Sequence, residues 1–232
     1  MVALPNIERE DLELDVVVVG GGPAGLAAAI HLQRLIQEHQ SSGAEGDLGE
    51  PMIAVLEKGK EVGSHGISGA VMDPRGIEEL MPDWRDRGAP VEAEVGDDAF
   101  WYMTRKGKIN SPILPGPLKN EGNFVISLSQ FTRWMGEQAM EAGVEVFPEF
   151  PAAHALMENG KVIGVRTADK GVDKEGNQKG NFEAGVDIKA KIVILAEGPR
   201  GTLTKQLTIA HGLDRGRNPQ VYSLGIKELW EL

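Results

Sequence analysis

At 232 residues, 41% apolar and 25% charged, the chain has the length and composition of one large globular domain, or of a domain with a smaller companion. Its formal net charge of −11 sets nonspecific nucleic-acid binding aside, because nothing offsets phosphate repulsion. With no cysteine, it forms no disulfide, offers no thiolate nucleophile and supplies no cysteine ligand to zinc or an iron–sulfur cluster.

The segment Met1 to Asp15 is acidic and lacks an apolar run, so it is expected to be neither a signal nor a transit peptide. No uninterrupted apolar stretch approaches the roughly 18 residues of a membrane-spanning helix. Asp15-Val-Val-Val-Val-Gly20 reads as a strand covered on both faces, since β-branched residues suit a buried pleated surface. Leu26 to Ile36 then carries helix formers with an apolar face. Between strand and helix lies G-x-G-x-x-G as Gly20, Gly22 and Gly25, in the context that the dinucleotide fingerprint requires. Gly20 allows the tight turn, Gly22 lets backbone approach a pyrophosphate, and Gly25 lets helix and strand pack closely. Pro23 and Ala24 open the first helical turn, whose free N–H groups and positive dipole end face the phosphates.

The helix is expected to fade near Gln40 into a polar, Gly-rich surface loop, Ser41 to Glu50. Met52 to Glu57 is a short apolar strand ending in a carboxylate, placed to bind ribose hydroxyls. Glu57 follows Gly25 by 32 residues rather than the usual 20 or so, and the loop accounts for most of the excess. Lys58 either reaches a phosphate or is simply solvated. Gly59 to Gly69 holds four glycines and two serines, Ser68 among them, which suggests extended backbone running along a ligand. Gly66-Ile-Ser-Gly69 lacks the G-x-S-x-G spacing of a nucleophile elbow, so a serine hydrolase is set aside.

Asp73-Pro74 caps a short helix through Leu80. The Pro- and Gly-rich segment that follows includes a hairpin over Phe100 to Ile109, expected to turn at Lys106-Gly107. Ser111-Pro-Ile-Leu-Pro-Gly-Pro-Leu118 is neither helix nor central strand, and either packs on its own domain or touches a substrate or bilayer. Asn123 to Ser127 reads as a strand and Ser129 to Ala142 as an amphipathic helix whose Trp and Met stripe is core. Val144 to Phe147 gives a third parallel strand. Asn159-Gly160 marks a type I′ hairpin, and Phe182 to Ile188 is expected to complete an antiparallel three-stranded meander covering the parallel sheet. Lys191 to Ala196 is a second buried strand, ending in Glu197-Gly198 before a helix from Pro199 to Leu207. A second strand bringing a carboxylate and a close backbone to one long cofactor separates FAD proteins from simple NAD proteins. Gln220 to Trp230 reads as a strand of a further sheet. The resulting division is 1–80 (βαβ, pyrophosphate and ribose site), 81–127 (inserted segment), 128–210 (binding domain continued) and 211–232 (start of a second domain).

GGGPAGLAAA, VLEKGKEVGSHGISGAVMDP, SPILPGPL, RWMGEQA and ILAEGPRGTLTKQL, in that order, resemble the electron-transfer flavoprotein:ubiquinone oxidoreductase family. The resemblance implies an α/β fold of glutathione-reductase type, a Rossmann-like parallel sheet with the meander and an inserted irregular segment. It implies FAD as cofactor, with Gly20, Gly22 and Gly25 at the pyrophosphate and Glu57 at the adenosine ribose. It puts Ser68 and Gly69 along the pyrophosphate or flavin side, and Glu197 and Gly198 beside the ribityl chain. It also implies electron-transfer flavoprotein and ubiquinone as partners, with 81–127 beginning a quinone- and membrane-facing domain. The location implied is peripheral, on the cytoplasmic side of a bacterial inner membrane. Family members carry a [4Fe–4S] cluster on cysteines further along, which this chain lacks, so it is expected to be an N-terminal piece. The alternatives are a geranylgeranyl-reductase or flavin-monooxygenase type of FAD enzyme, and a noncatalytic FAD-binding fragment.

Overall fold

The computed structural model describes residues 3–43, 45–66, 69–222, 224–226 and 228. They form two compact units, one of Met1–His65 with Met135–Leu232 and one of Gly66–Trp134. In the first, β1 (Asp11–Val19) leads through the glycine turn into α1 (Pro23–Ser42), followed by β2 (Ile53–Leu56). The second holds β3 (Ala70–Met72), α2 (Arg75–Leu80), β4 (Ala93–Glu94), β5 (Trp101–Thr104), β6 (Gly107–Asn110) and β7 (Phe124–Ile126). α3 (Leu128–Glu141) returns the chain to the first unit. There β8 (Glu145–Phe147), β9 (Ala152–Glu158), β10 (Lys161–Thr167), β11 (Lys170–Val172), β12 (Gln178–Glu183), β13 (Asp187–Leu195) and α4 (Thr202–His211) complete it.

The first unit is built on a six-stranded sheet of order β8-β2-β1-β13-β10-β9. Its first four strands are parallel, and β10 and β9 are antiparallel additions. The valine run explains the centre: Val16 to Val19 pair with Ile53 to Leu56 on one side and Ile192 to Leu195 on the other. Val17 and Val18 are fully buried, as a parallel strand covered on both faces should be. α1 buries Leu26, Ala29, Ile30 and Ile36, a stripe at helical spacing. It begins with Pro23 and ends at Gly43, whose left-handed backbone (φ 68) stops the helix two residues beyond the expected Gln40 region. Each large side chain taken wholly into this core, Leu26 or Ile188 for example, contributes about 1.5–3 kcal/mol.

The antiparallel strands and the C-terminal segment bear out one sequence expectation and correct two. Asn159 and Gly160 close the β9–β10 hairpin with φ of 49 and 78, as a primed turn requires. The third antiparallel strand, however, is the first half of β13, paired Arg166 to Asp187, rather than residues 182–188. The hairpin therefore continues the sheet in its own plane instead of covering it. The reason is polarity: Ile188 is fully buried and Asp187 takes both arms of Arg166 at 2.6 Å, whereas residues 178–183 are mostly polar and exposed and pair with β11. Beyond α4 the described residues of the expected 220–230 strand form none, and residues 223, 227, 229 and 230 lie outside the description.

The second unit has its own aromatic core. Trp84 is buried edge-on against Phe124 (5.5 Å between centroids) and Phe131 (6.5 Å), and the Arg85 guanidinium lies over both Trp84 and Phe124. β3, β7 and β4 form a small antiparallel sheet. The expected hairpin is present as β5–β6, but it turns at Arg105-Lys106, one residue earlier than the expected Lys106-Gly107 turn, because Gly107 already pairs with Thr104. Ser111 to Leu118 is irregular apart from one 3-10 turn at Gly116–Leu118, and Ile113 is 74% exposed. No helix among the described residues is long and apolar enough to cross a membrane.

Candidate functional site

Ligands of open α/β sheets sit beyond the carboxyl ends of the parallel strands. Here β1 and β13 end level with each other, Val19 beside Leu195, and the Ala196 N–H donates to the Val19 carbonyl at 2.8 Å. The two strand tips singled out from the sequence thus stand side by side. A cavity of about 340 Å3 opens there, lined by the glycine turn, the end of β2 and the Ala196–Thr202 segment.

The three motif glycines have separable roles. At Gly20 (φ 116) a Cβ would sit 2.3 Å from the Ala196 carbonyl oxygen, so the neighbouring strand end forbids a side chain. At Gly25 it would sit 2.0 Å from the Gly20 carbonyl oxygen, which is the close helix–strand approach. At Gly22 it would meet nothing within 4 Å, and the backbone (φ −84, ψ 176) is one any residue adopts. The fold needs the first and third glycines but not the second. Gly22 lines the cavity, and a side chain there would enter open space rather than meet another part of the fold.

Two helix N-termini border the same cavity, and they differ electrostatically. At α4 the Glu197 carboxylate accepts from the backbone N–H groups of Thr202 (2.9 Å), Leu203 (3.1 Å) and Thr204 (2.7 Å), and from the Thr204 hydroxyl (2.9 Å). Those amides and that dipole end are already neutralised. At α1 no side chain caps the N-terminus and no acidic residue stands in the first turn. Of the two helix N-termini, α1 is the one that offers free backbone donors to an anion entering the cavity.

Glu57, at the end of β2, is buried. Its Oε1 accepts from the Gly59 N–H (2.7 Å) and meets His65 Nδ1 at 3.3 Å, and its Oε2 accepts from the Gly21 N–H (3.1 Å). The carboxylate is thereby fixed at the foot of the glycine turn. Lys58 is exposed on the cavity wall.

Of the residues singled out from the sequence, Gly20, Gly22, Pro23, Ala24, Glu57, Lys58, Glu197 and Gly198 line this one cavity. Gly25 stands behind it, pressed on Gly20. Gly69 belongs to the second unit, with φ 79 just before β3, and Ser68 lies outside the described residues. His65 and Arg200 also line the cavity and escaped the sequence reading. The signal for His65 was its place eight residues past Glu57 in the same Gly-rich loop; Arg200 had none beyond following Glu197-Gly198.

No protein-family model matches the chain. Among solved structures, it is similar to a geranylgeranyl bacteriochlorophyll reductase-like protein from Thermoplasma acidophilum (23% identical, 80% of this chain and 39% of that one, TM-score 0.50). It is also similar to the flavin-dependent monooxygenase PieE, solved with FAD and substrate (16% identical, 85% of this chain and 32% of that one, TM-score 0.54). The fold is that of FAD-binding Rossmann-type flavoenzymes. Among curated proteins, the mitochondrial electron transfer flavoprotein-ubiquinone oxidoreductase of Sus scrofa is 46% identical over 227 residues, 97% of this chain and 36% of that protein. The probable electron transfer flavoprotein-ubiquinone oxidoreductase of Acinetobacter baylyi is 43% identical over 231 residues, 98% of this chain and 39% of that protein. The chain thus spans little more than a third of the length of these relatives, in their N-terminal part. With this identity sustained along nearly all of its residues, the chain is similar throughout to the N-terminal part of proteins named electron transfer flavoprotein-ubiquinone oxidoreductase.

Proposed function

We propose that this chain binds FAD through the cavity at the β1 and β13 tips, and that in a full-length protein the flavin passes electrons from electron-transfer flavoprotein to ubiquinone. The observation that carries the reading is the pairing of an open helix N-terminus and empty space before Gly22 with a fixed carboxylate, Glu57, in one cavity. That pairing suits a pyrophosphate next to a ribose. Gly20, Gly22, Pro23 and Ala24 hold the pyrophosphate, Glu57 the adenosine ribose, and Gly198 the backbone side of the flavin chain. Glu197 acts there through its backbone and by holding α4, since its carboxylate is taken up by the helix amides. When bound, the flavin supplies the redox chemistry, and the protein supplies binding and orientation. The [4Fe–4S] cluster belongs to the longer protein, because this chain has no cysteine.

The second unit is the membrane- and quinone-facing part in this reading. Support comes from its hairpin, where Phe100, Trp101, Tyr102, Met103 and Ile109 are exposed beside Arg105, Lys106 and Lys108. Exposed aromatics with adjacent cations suit the interfacial zone of a peripherally bound protein, on the cytoplasmic face of a bacterial inner membrane. The test of cofactor binding is a titration of purified chain with FAD, followed by flavin fluorescence and by flavin release on denaturation. Saturable binding of FAD supports the reading; binding of NAD alone overturns it.

A further inference from the structure

We propose that His65 is a positioning residue for Glu57, holding one carboxylate oxygen so that the other is presented to a ribose hydroxyl. This rests on the dinucleotide reading of the cavity. A carboxylate oxygen has two acceptor sites and donates nothing. Glu57 Oε1 fills both of its sites, one with the Gly59 N–H at 2.7 Å and one with His65 Nδ1 at 3.3 Å. Among the described residues Oε2 takes only the Gly21 N–H, at 3.1 Å, which leaves one acceptor site on the oxygen nearest the glycine turn. His65 Nδ1 therefore carries its proton toward Glu57.

The surroundings are shaped for this contact. A Cβ at position 59 would lie 3.0 Å from both Glu57 Oε1 and His65 Nδ1, so glycine there makes room for the two side chains to meet. The His65 side chain is 56% exposed and lines the cavity, while that of Glu57 is 11% exposed. An imidazole so open to water adds little to the stability of the fold. What it does is remove the rotational freedom of a buried carboxylate before ligand arrives, which is preorganisation.

The experiment compares the wild-type chain with His65→Ala, His65→Asn and His65→Gln by titration with FAD and with ADP, alongside thermal melts. The asparagine amide nitrogen takes the place of Nδ1, the glutamine amide that of Nε2. His65→Ala is expected to weaken FAD and ADP about five- to tenfold, the scale of one hydrogen bond, with the melting temperature unmoved. His65→Asn restores most of the affinity, and in a Glu57→Gln background His65→Ala costs nothing further. Affinity unchanged in His65→Ala, or restored by glutamine and not by asparagine, overturns the assignment while leaving the dinucleotide site standing. A wild-type chain that binds neither FAD nor ADP overturns the site and this assignment together.

Discussion

Replacing Gly22 by valine separates ligand space from folding space. The Gly22 backbone already lies in the extended region, so no left-handed strain arises, and its Cβ meets no atom within 4 Å. Two small terms oppose each other. Losing glycine at a helix N-cap costs up to about 1 kcal/mol, and stiffening the unfolded chain returns about 0.4–1 kcal/mol. The net change is within about 1 kcal/mol, or roughly 2–4 °C in melting temperature for a chain of this size. Gly20→Ala is different in kind. Its Cβ would lie 2.3 Å from the Ala196 oxygen at a φ of 116, so backbone strain and displacement of β13 together cost about 3 kcal/mol or more. Gly25→Ala gains about 1 kcal/mol of helix propensity but must push back the Gly20 oxygen from 2.0 Å, and it is also net destabilising. FAD titration and thermal melts of the three variants form the assay. The expected pattern is a Gly22→Val protein that melts like wild type yet binds FAD at least tenfold more weakly, about 1.4 kcal/mol. A Gly22→Val protein that binds FAD normally refutes the placement of the pyrophosphate. One that fails to fold refutes the claim that only ligand occupies that space.

Other expectations concern the frame and the surface. Arg9 and Asp169 form a buried ion pair that clasps the N-terminal segment, with Asp169 also accepting from the Leu4 and Gly185 N–H groups. Burial pushes the Asp169 carboxyl up, but Arg9 and the two backbone donors outweigh it and hold it down at about 2. Because the folded value lies below the unfolded 3.8, this stabilisation is full above about pH 4 and is lost as pH falls toward 2, a change of about 2 kcal/mol. Asp169→Asn strands the Arg9 charge and costs about 3–5 kcal/mol at neutral pH, and acid titration of its stability should no longer show that step. Glu197→Ala strips three amides of α4 of their acceptor, so hydrogen exchange in its first turn should quicken and stability fall by about 0.5–2 kcal/mol. Tyr102→Glu with Met103→Glu, both 69% exposed, should reduce sedimentation with anionic vesicles without altering the melt; undiminished vesicle binding would remove the hairpin from the membrane face.

How much of this was legible beforehand depended on how local the cause was. Val16 to Val19, the glycine turn and Asn159-Gly160 impose their conformations through sterics and backbone freedom within a few residues, so they could be read directly. The third strand of the antiparallel series could not. Whether residues 182–188 or 187–189 sit beside β10 depends on Arg166 and Asp187, some 20 residues apart in sequence, meeting across the sheet. The same holds inside the cavity. Glu197 looked like a cofactor ligand because an acid-plus-glycine at a strand end has that typical role, but the nearest unpaired amides belong to the following helix and claim the carboxylate first. That local capture gives the site its polarity. With α4 neutralised by its own carboxylate and α1 left open, α1 is the helix end that offers free amides to the cavity, and in the proposed function that is where the pyrophosphate lies.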